Sequence, residues 1–341
     1  MTMPLPLIPL IILGATAAST ALAGKKGYDS VKNMKETKQL AEELGTSYNE
    51  VYEEFKRVRD ETNEEFEEYG LLKLEILDGS MKWFVETFRQ IKHVNFTDEA
   101  VTDEFVSNSE IEQFVLTIER QVVKAGQVLA AGVASLAGGG LAAMGALGAT
   151  TTFAVASTGT AIAALSGIAA QNATLAFLGG GSLAAGGLGV AGGTLVLGGI
   201  ALAPALAIGS LIFAASTENK LQEMYGKQAE VQAEIEKLHA ATNAMEQITS
   251  TTASMRDLAK STDQLLSATI HKMSEIIQSK GVDFCGYKMD EKTAIHNSYK
   301  LAVIMRDILN TTILDEQGEL IPHIHSVITA NKKKISTVQE G

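Results

Sequence analysis

Apolar and polar positions along this chain fall into three regimes. In the first, Met34, Thr37, Ala41, Leu44, Tyr48, Val51, Phe55, Val58 and Thr62 recur at alternating three- and four-residue steps. That spacing turns one stripe of a long helix toward a partner and predicts a coiled-coil arm. Glutamate dominates the outward positions between 41 and 78, which makes that face either solvated or an acidic docking surface. Gly70 is expected to kink or end the helix. The stretch LLKLEILDGSMKWFVETFRQIKHV then predicts an amphipathic helix, with Leu74, Leu77, Met81, Phe84, Val85 and Phe88 on its apolar side. A polar connection, NFTDEAVTDEFVSNSE, follows. Ser107 or Ser109 supplies the N-cap of the next helix, expected to start near Glu110.

The second regime begins inside that helix. IEQFVLTIERQVVKAGQVLAAGVASLAGGG passes Lys124 without a breaker, and no Asp, Glu, Lys, Arg or His occurs from 125 to 217, a run of 93 residues. Ordinary domains have about a quarter of their residues charged, so this segment is built for another surrounding. In the third regime Leu221, Met224, Gln228, Val231, Ile235, Leu238, Thr242 and Met245 again step by three and four. The run ITSTTASM shifts the phase, as a stutter does, and Met255, Leu258, Thr262 and Leu265 resume it. A break at KGVDFCGYK precedes a helix expected around 292–309, then a DEQGEL turn and a frayed tail. The resulting division is 1–27 apolar leader, 28–94 acidic arm and amphipathic helix, and 95–124 linker and entering helix. It continues as 125–217 uncharged centre, 218–280 second arm, and 281–341 C-terminal helix and tail. The leader carries no charge from Met3 to Gly24. Three readings fit it: a retained membrane helix, a signal peptide cleaved after Ala21-Leu22-Ala23, or a helix buried in a core.

Inside the centre, eight of the sixteen residues of LGGGSLAAGGLGVAGG are glycine. A helix in water loses about 1 kcal/mol for each glycine relative to alanine. The runs at Gly138 and Gly179 suggest turns, whereas Gly159, Ala163 and Gly167, and again Gly186, Gly189 and Gly193, recur at helical spacing. Small residues so placed let helix backbones approach closely, as membrane helices do. The uncharged stretch 194–215 would reach about 33 Å as a helix, enough for a bilayer core, and Pro204 is tolerated there as a kink. A buried hairpin in a helical bundle would use the same small residues. Thr151, Ser157 and Thr158 belong to a Ser/Thr-rich run that supplies a candidate pore lining.

Charge narrows the functional classes. The net charge of −12 argues against nucleic-acid binding. The one cysteine, Cys285, excludes an intramolecular disulfide and is read most simply as a small apolar side chain. No lysine lies between Lys124 and Lys220, so the glycine runs lack the lysine of a phosphate loop. His323 and His325 have no cysteine or carboxylate cluster at ligand spacing beside them. The other histidines read as isolated residues on helices. Asp98-Glu99 and Asp103-Glu104 read as a solvated loop rather than an acid and base. No catalytic, cofactor or metal residue is expected, and no enzyme.

The block GTAIAALSGIAAQNATLAFLGGGSLAAGGLGVAGGTLVLGGIALAPALAIG resembles the centre of a widespread, uncharacterised bacterial glycine-zipper family whose members are sometimes labelled chemotaxis proteins. ETNEEFEEYGLLKLEILDGSMKWFVETFRQIK and TTILDEQGEL are similar to the same family's arm and C-terminal end. An apolar hairpin between long helices also resembles, in architecture alone, α-helical pore-forming toxins and apolipoprotein-L-like proteins. Neither resemblance implies an active site. The sequence thus predicts an all-α protein with coiled-coil arms flanking a Gly/Ala-rich apolar hairpin. The expected function is membrane-active and non-enzymatic, a pore former or membrane-perturbing effector; the alternative is a membrane-anchored coiled-coil scaffold. Expected partners are a lipid bilayer and either further copies of the chain or a coiled-coil protein. The expected location is a membrane, the bacterial inner membrane first, or a soluble form that inserts into one.

Overall fold

Long stretches without proline, rich in Glu, Lys, Leu and Ala, favour helix, and the chain takes it. The computed structural model describes residues 25–96, 107–130, 218–314 and 320–340. Among these, 89% are helical and no strand forms, so the protein is all-α. Helix α1 spans Lys25–Ile76, and a π-helical turn, Leu77–Met81, joins it to α2, Lys82–Phe88. Helix α3 is Asn108–Ala130, α4 Glu218–Lys280, α5 Met289–Asn310 and α6 Ile324–Glu340. The leader up to residue 24, the loop carboxylates at 98–104 and the centre from 131 to 217 lie outside the described residues.

Two compact units are distinguished. The first holds α1 up to Val58 and α4 up to Ala244. In it Thr37, Ala41, Leu44, Tyr48, Phe55 and Val58 of α1 are buried, as are Val231, Ile235, Leu238 and Thr242 of α4. Rings stack along α1, Tyr48 on Tyr52 and Tyr52 on Phe55. Burial, with the Glu234 carboxylate nearby, raises the Tyr48 hydroxyl above its ordinary pKa.

The second unit takes the rest of α1 and α4 together with α2, α3, α5 and α6. Side-chain contacts give its helix directions. Thr62 Oγ1 meets Thr249 Oγ1 at 2.9 Å, Arg256 reaches Glu65 and Glu68, Ser80 bonds Asp263, and Trp83 lies edge-on to His271. Partner numbers rise together, so α1–α2 and α4 run parallel. Against α2, the numbers on α3 run oppositely: Arg89 pairs with Glu112 and Glu119, while Asp78 approaches Gly126. Helix α5 is antiparallel to α4, through Lys280–Glu291 and Thr269–Ser298, and parallel to α3, through Phe114–Tyr299 and Gln121–Asn310. In chain order α1–α2, α3, α4 and α5 therefore run up, down, up, down. Helix α6 packs along α5, burying Ile324, Ile328, Asn331 and Ile335.

Several expectations are corrected. Gly70 neither kinks nor ends α1; it is buried in the helix interior. The interruption comes at Gly79, whose φ of −95° and ψ of −105° leave the helical region. A residue without a β-carbon tolerates that conformation, and on either side of it Ile76, Leu77, Ser80 and Met81 all stay buried. Helix α5 runs a few residues beyond the expected 292–309, and the supposed frayed tail is α6. The Ser/Thr run, expected to shift the phase, lies inside the uninterrupted α4, where Thr249, Thr251 and Thr252 each donate a hydroxyl to the carbonyl four residues back. That back-bonding satisfies the hydroxyls inside the helix.

Candidate functional site

Helix α3 carries the chain toward the uncharged centre. Ser107 and Glu110 form a reciprocal cap: the Glu110 backbone amide donates to Ser107 Oγ at 3.3 Å, and the Ser107 amide donates to Glu110 Oε2 at 2.8 Å. From there Ile111, Phe114, Val115, Ile118, Gln121, Ala125 and Val128 make one buried face. The face continues unbroken past Lys124, so the first residues of the uncharged run belong to the helical core. Leu116 and Val123 remain exposed on the other side.

The core around α3 is aromatic. Phe84, Phe88, Phe96, Phe114 and Tyr299 have ring centroids 5.2 to 6.4 Å apart in successive pairs. His296 packs 4.7 Å from Phe96, which makes it a core residue. Two turns from the π interruption lies a buried charge-bearing side chain, Lys73. Its Nζ sits 4.4 Å from the centroid of the Tyr69 ring, and both residues are fully buried. Burial pulls the Lys73 ammonium down to about 7 and pushes the Tyr69 hydroxyl up.

On the surface of the same unit, the α2–α3 connection meets the α4–α5 connection. The Lys92 amide donates to the Val282 carbonyl at 2.7 Å, and the Phe284 amide donates to the Lys92 carbonyl at 3.1 Å. This bridge sets His93 beside Asp283, with Nδ1 3.1 Å from Oδ1. Asp283 also accepts from the Cys285 backbone amide at 3.2 Å, opening the short turn Phe284–Gly286. The His93 contact, then the Cys285 amide, holds the Asp283 carboxyl below its ordinary range. His93 has φ of 58°, a left-handed conformation uncommon outside glycine. One ligand atom from each of His93, Asp283 and Cys285 lies within 4.8 Å of the others, and all three residues are exposed. Cys285, read from the sequence as a small apolar side chain, is a free thiol at the surface. His93 stands in a loop rather than on a helix.

No family profile, curated protein or solved structure matches the chain. Its chemistry rests on its own residues.

The residues the sequence singled out for membrane packing (Gly159, Ala163, Gly167, Gly186, Gly189, Gly193 and Pro204) lie outside the described residues. So do the candidate lining residues Thr151, Ser157 and Thr158. Among the described residues no helix is long and apolar enough to cross a membrane. His323 and His325 are exposed at the start of α6 and belong to no three-residue ligand cluster among the described residues. Sequence inspection missed the His93–Asp283–Cys285 grouping because 190 positions separate His93 from Asp283. Only the Asp283-x-Cys285 pair was visible as a local signal.

Proposed function

We propose that the protein is a non-enzymatic, membrane-active helical protein in which 125–217 enters a bilayer and the charged helices stay in water. The observation that carries this reading is the 93-residue run without a charged side chain. Helix α3 supports it by leading into that run without a break. Leaving such a run in water would expose far more apolar surface than a soluble protein ordinarily shows, while in lipid its backbone must be satisfied within helices. Glycine and alanine at 159, 163, 167, 186, 189 and 193 then serve helix-to-helix contact. Thr151, Ser157 and Thr158 line a water path in this proposal. Because they carry no charge, ion selectivity is weak.

A second reading is favoured by the length of α1 and α4, 52 and 63 residues. Their stepped buried positions suit coiled-coil arms that recruit a partner or a second copy while the centre merely anchors them. One experiment separates the two. Full-length protein is extracted with alkaline carbonate, then reconstituted into liposomes loaded with a small dye. Retention in the pellet with dye release supports the membrane-perturbing reading, and replacing Thr151, Ser157 and Thr158 by Leu then reduces release without reducing binding. Retention without release or bilayer current leaves the scaffold. Full release into the carbonate supernatant as a monodisperse species overturns both.

A further inference from the structure

We infer that His93, Asp283 and Cys285 form a binding site for a borderline-soft divalent cation, Zn²⁺ in the first instance. Imidazole, thiolate and carboxylate are the donor types zinc takes, and three protein ligands with an open fourth position are a recognised arrangement. A thiolate beside an imidazole also disfavours Mg²⁺ and Ca²⁺, which prefer oxygen.

The geometry is close to that of a bound site. Zn–N near 2.0 Å and Zn–S near 2.3 Å place tetrahedral donor pairs roughly 3.3 to 3.8 Å apart. His93 Nδ1 and Asp283 Oδ1 are already at 3.1 Å, and the remaining separations stay within 4.8 Å. Rotation of exposed side chains closes that gap without moving the backbone. The cation binds neutral His93 at Nδ1, leaving the imidazole proton on Nε2, and the Cys285 thiol releases its proton to solvent on binding.

Two features set this cluster apart from an ordinary surface contact. An ion pair between side chains as exposed as His93 and Asp283, 70% and 60%, contributes little by itself. Yet two backbone hydrogen bonds hold their loops together, and His93 adopts a left-handed backbone to face Asp283. The three ligands come from two connections, so the cation joins the chain between α2 and α3 to the chain between α4 and α5. It is a clip across the base of the helical unit, independent of whether the centre forms a pore.

The test uses the full-length protein, stripped with a chelator and titrated with Zn²⁺ against a chromophoric competitor, and separately with Co²⁺. One equivalent of Zn²⁺ is expected, with Co²⁺ giving a near-ultraviolet thiolate-to-metal charge-transfer band. Cys285→Ser should abolish that band, and His93→Ala should weaken Zn²⁺ binding at least about tenfold, the lower end of the loss that even outer-shell changes produce. Zn²⁺ should also slow modification of Cys285 by a thiol reagent. All three side chains are exposed, so the variants should melt within a few degrees of the parent without metal. A site that fails to bind at stoichiometric Zn²⁺, or that binds equally well in both variants, overturns the inference; in the second case His323 and His325 become the ligands to examine.

Discussion

Replacing Lys73 by Met should remove a pH-dependent weakness built into α1. The side chain titrates at about 7 when folded against 10.5 when free, so between those values the unfolded chain binds more protons. Stability therefore rises with pH across that window and is lost as pH falls through it. Below about pH 7 both states are protonated and the loss stops growing. One pKa unit corresponds to about 1.4 kcal/mol, so the step from pH 9 to pH 7 costs about 2 kcal/mol. The accumulated penalty at pH 7 is about 4 kcal/mol on the same basis. Methionine is unbranched and of similar volume, which keeps the repacking cost low. Tyr69 titrates above this window, since burial raises it, and does not interfere. The single tryptophan, Trp83, lies in the same unit and reports its unfolding. Urea midpoints read from its fluorescence at pH 7, 8 and 9 should climb in the parent by more than in Lys73→Met, the difference reaching about 2 kcal/mol. If the variant keeps the parental slope, Lys73 is not the titrating group and its ammonium is solvated in a way the burial does not suggest.

Ser107→Ala removes the acceptor for the Glu110 amide and should cost about 1 kcal/mol by the same urea assay, with amide exchange rising at the start of α3 and not in α5. Replacing Gly186, Gly189 and Gly193 together by Ile should raise helicity in circular dichroism while reducing oligomers in cross-linking, because branched side chains fill the contact surface. Unchanged oligomers with unchanged dye release would remove these glycines from any packing seam.

The long helices were legible because their buried positions obey one period. Thr37, Ala41, Leu44, Tyr48, Phe55, Val58 and Thr62 can be read from spacing alone, and all are buried. Helix α3 was legible through its cap, since Ser107 and Glu110 stand three apart. Gly70 misled because glycine's helix penalty is a weak local effect, outweighed here by the burial of Phe66, Tyr69 and Leu74 around it. Helix α6 was hidden by Lys332, Lys333 and Lys334, whose charge masks the four-three-four spacing of Ile324, Ile328, Asn331 and Ile335. The surface cluster was invisible for a different reason. Its side chains meet only after the loops at 92 and 282 are bridged through backbone groups, and backbone bridging leaves no mark on side-chain pattern.

The threonines of α4 have a mechanical consequence. Thr251, Thr252 and Thr262 are buried in the second unit, and each hydroxyl is spent on its own helix, on the carbonyls of Gln247, Ile248 and Leu258. Sliding or lifting α4 away from its neighbours breaks none of these bonds and strands none of these hydroxyls. Along this stretch what disengagement breaks is the pairing of Arg256 with Glu65 and Glu68, the flanking Thr62–Thr249 and Ser80–Asp263 contacts, and dispersion. The register of α4 is thus pinned at a few polar points, and the buried threonines between them form a plain bearing surface that fits by shape alone.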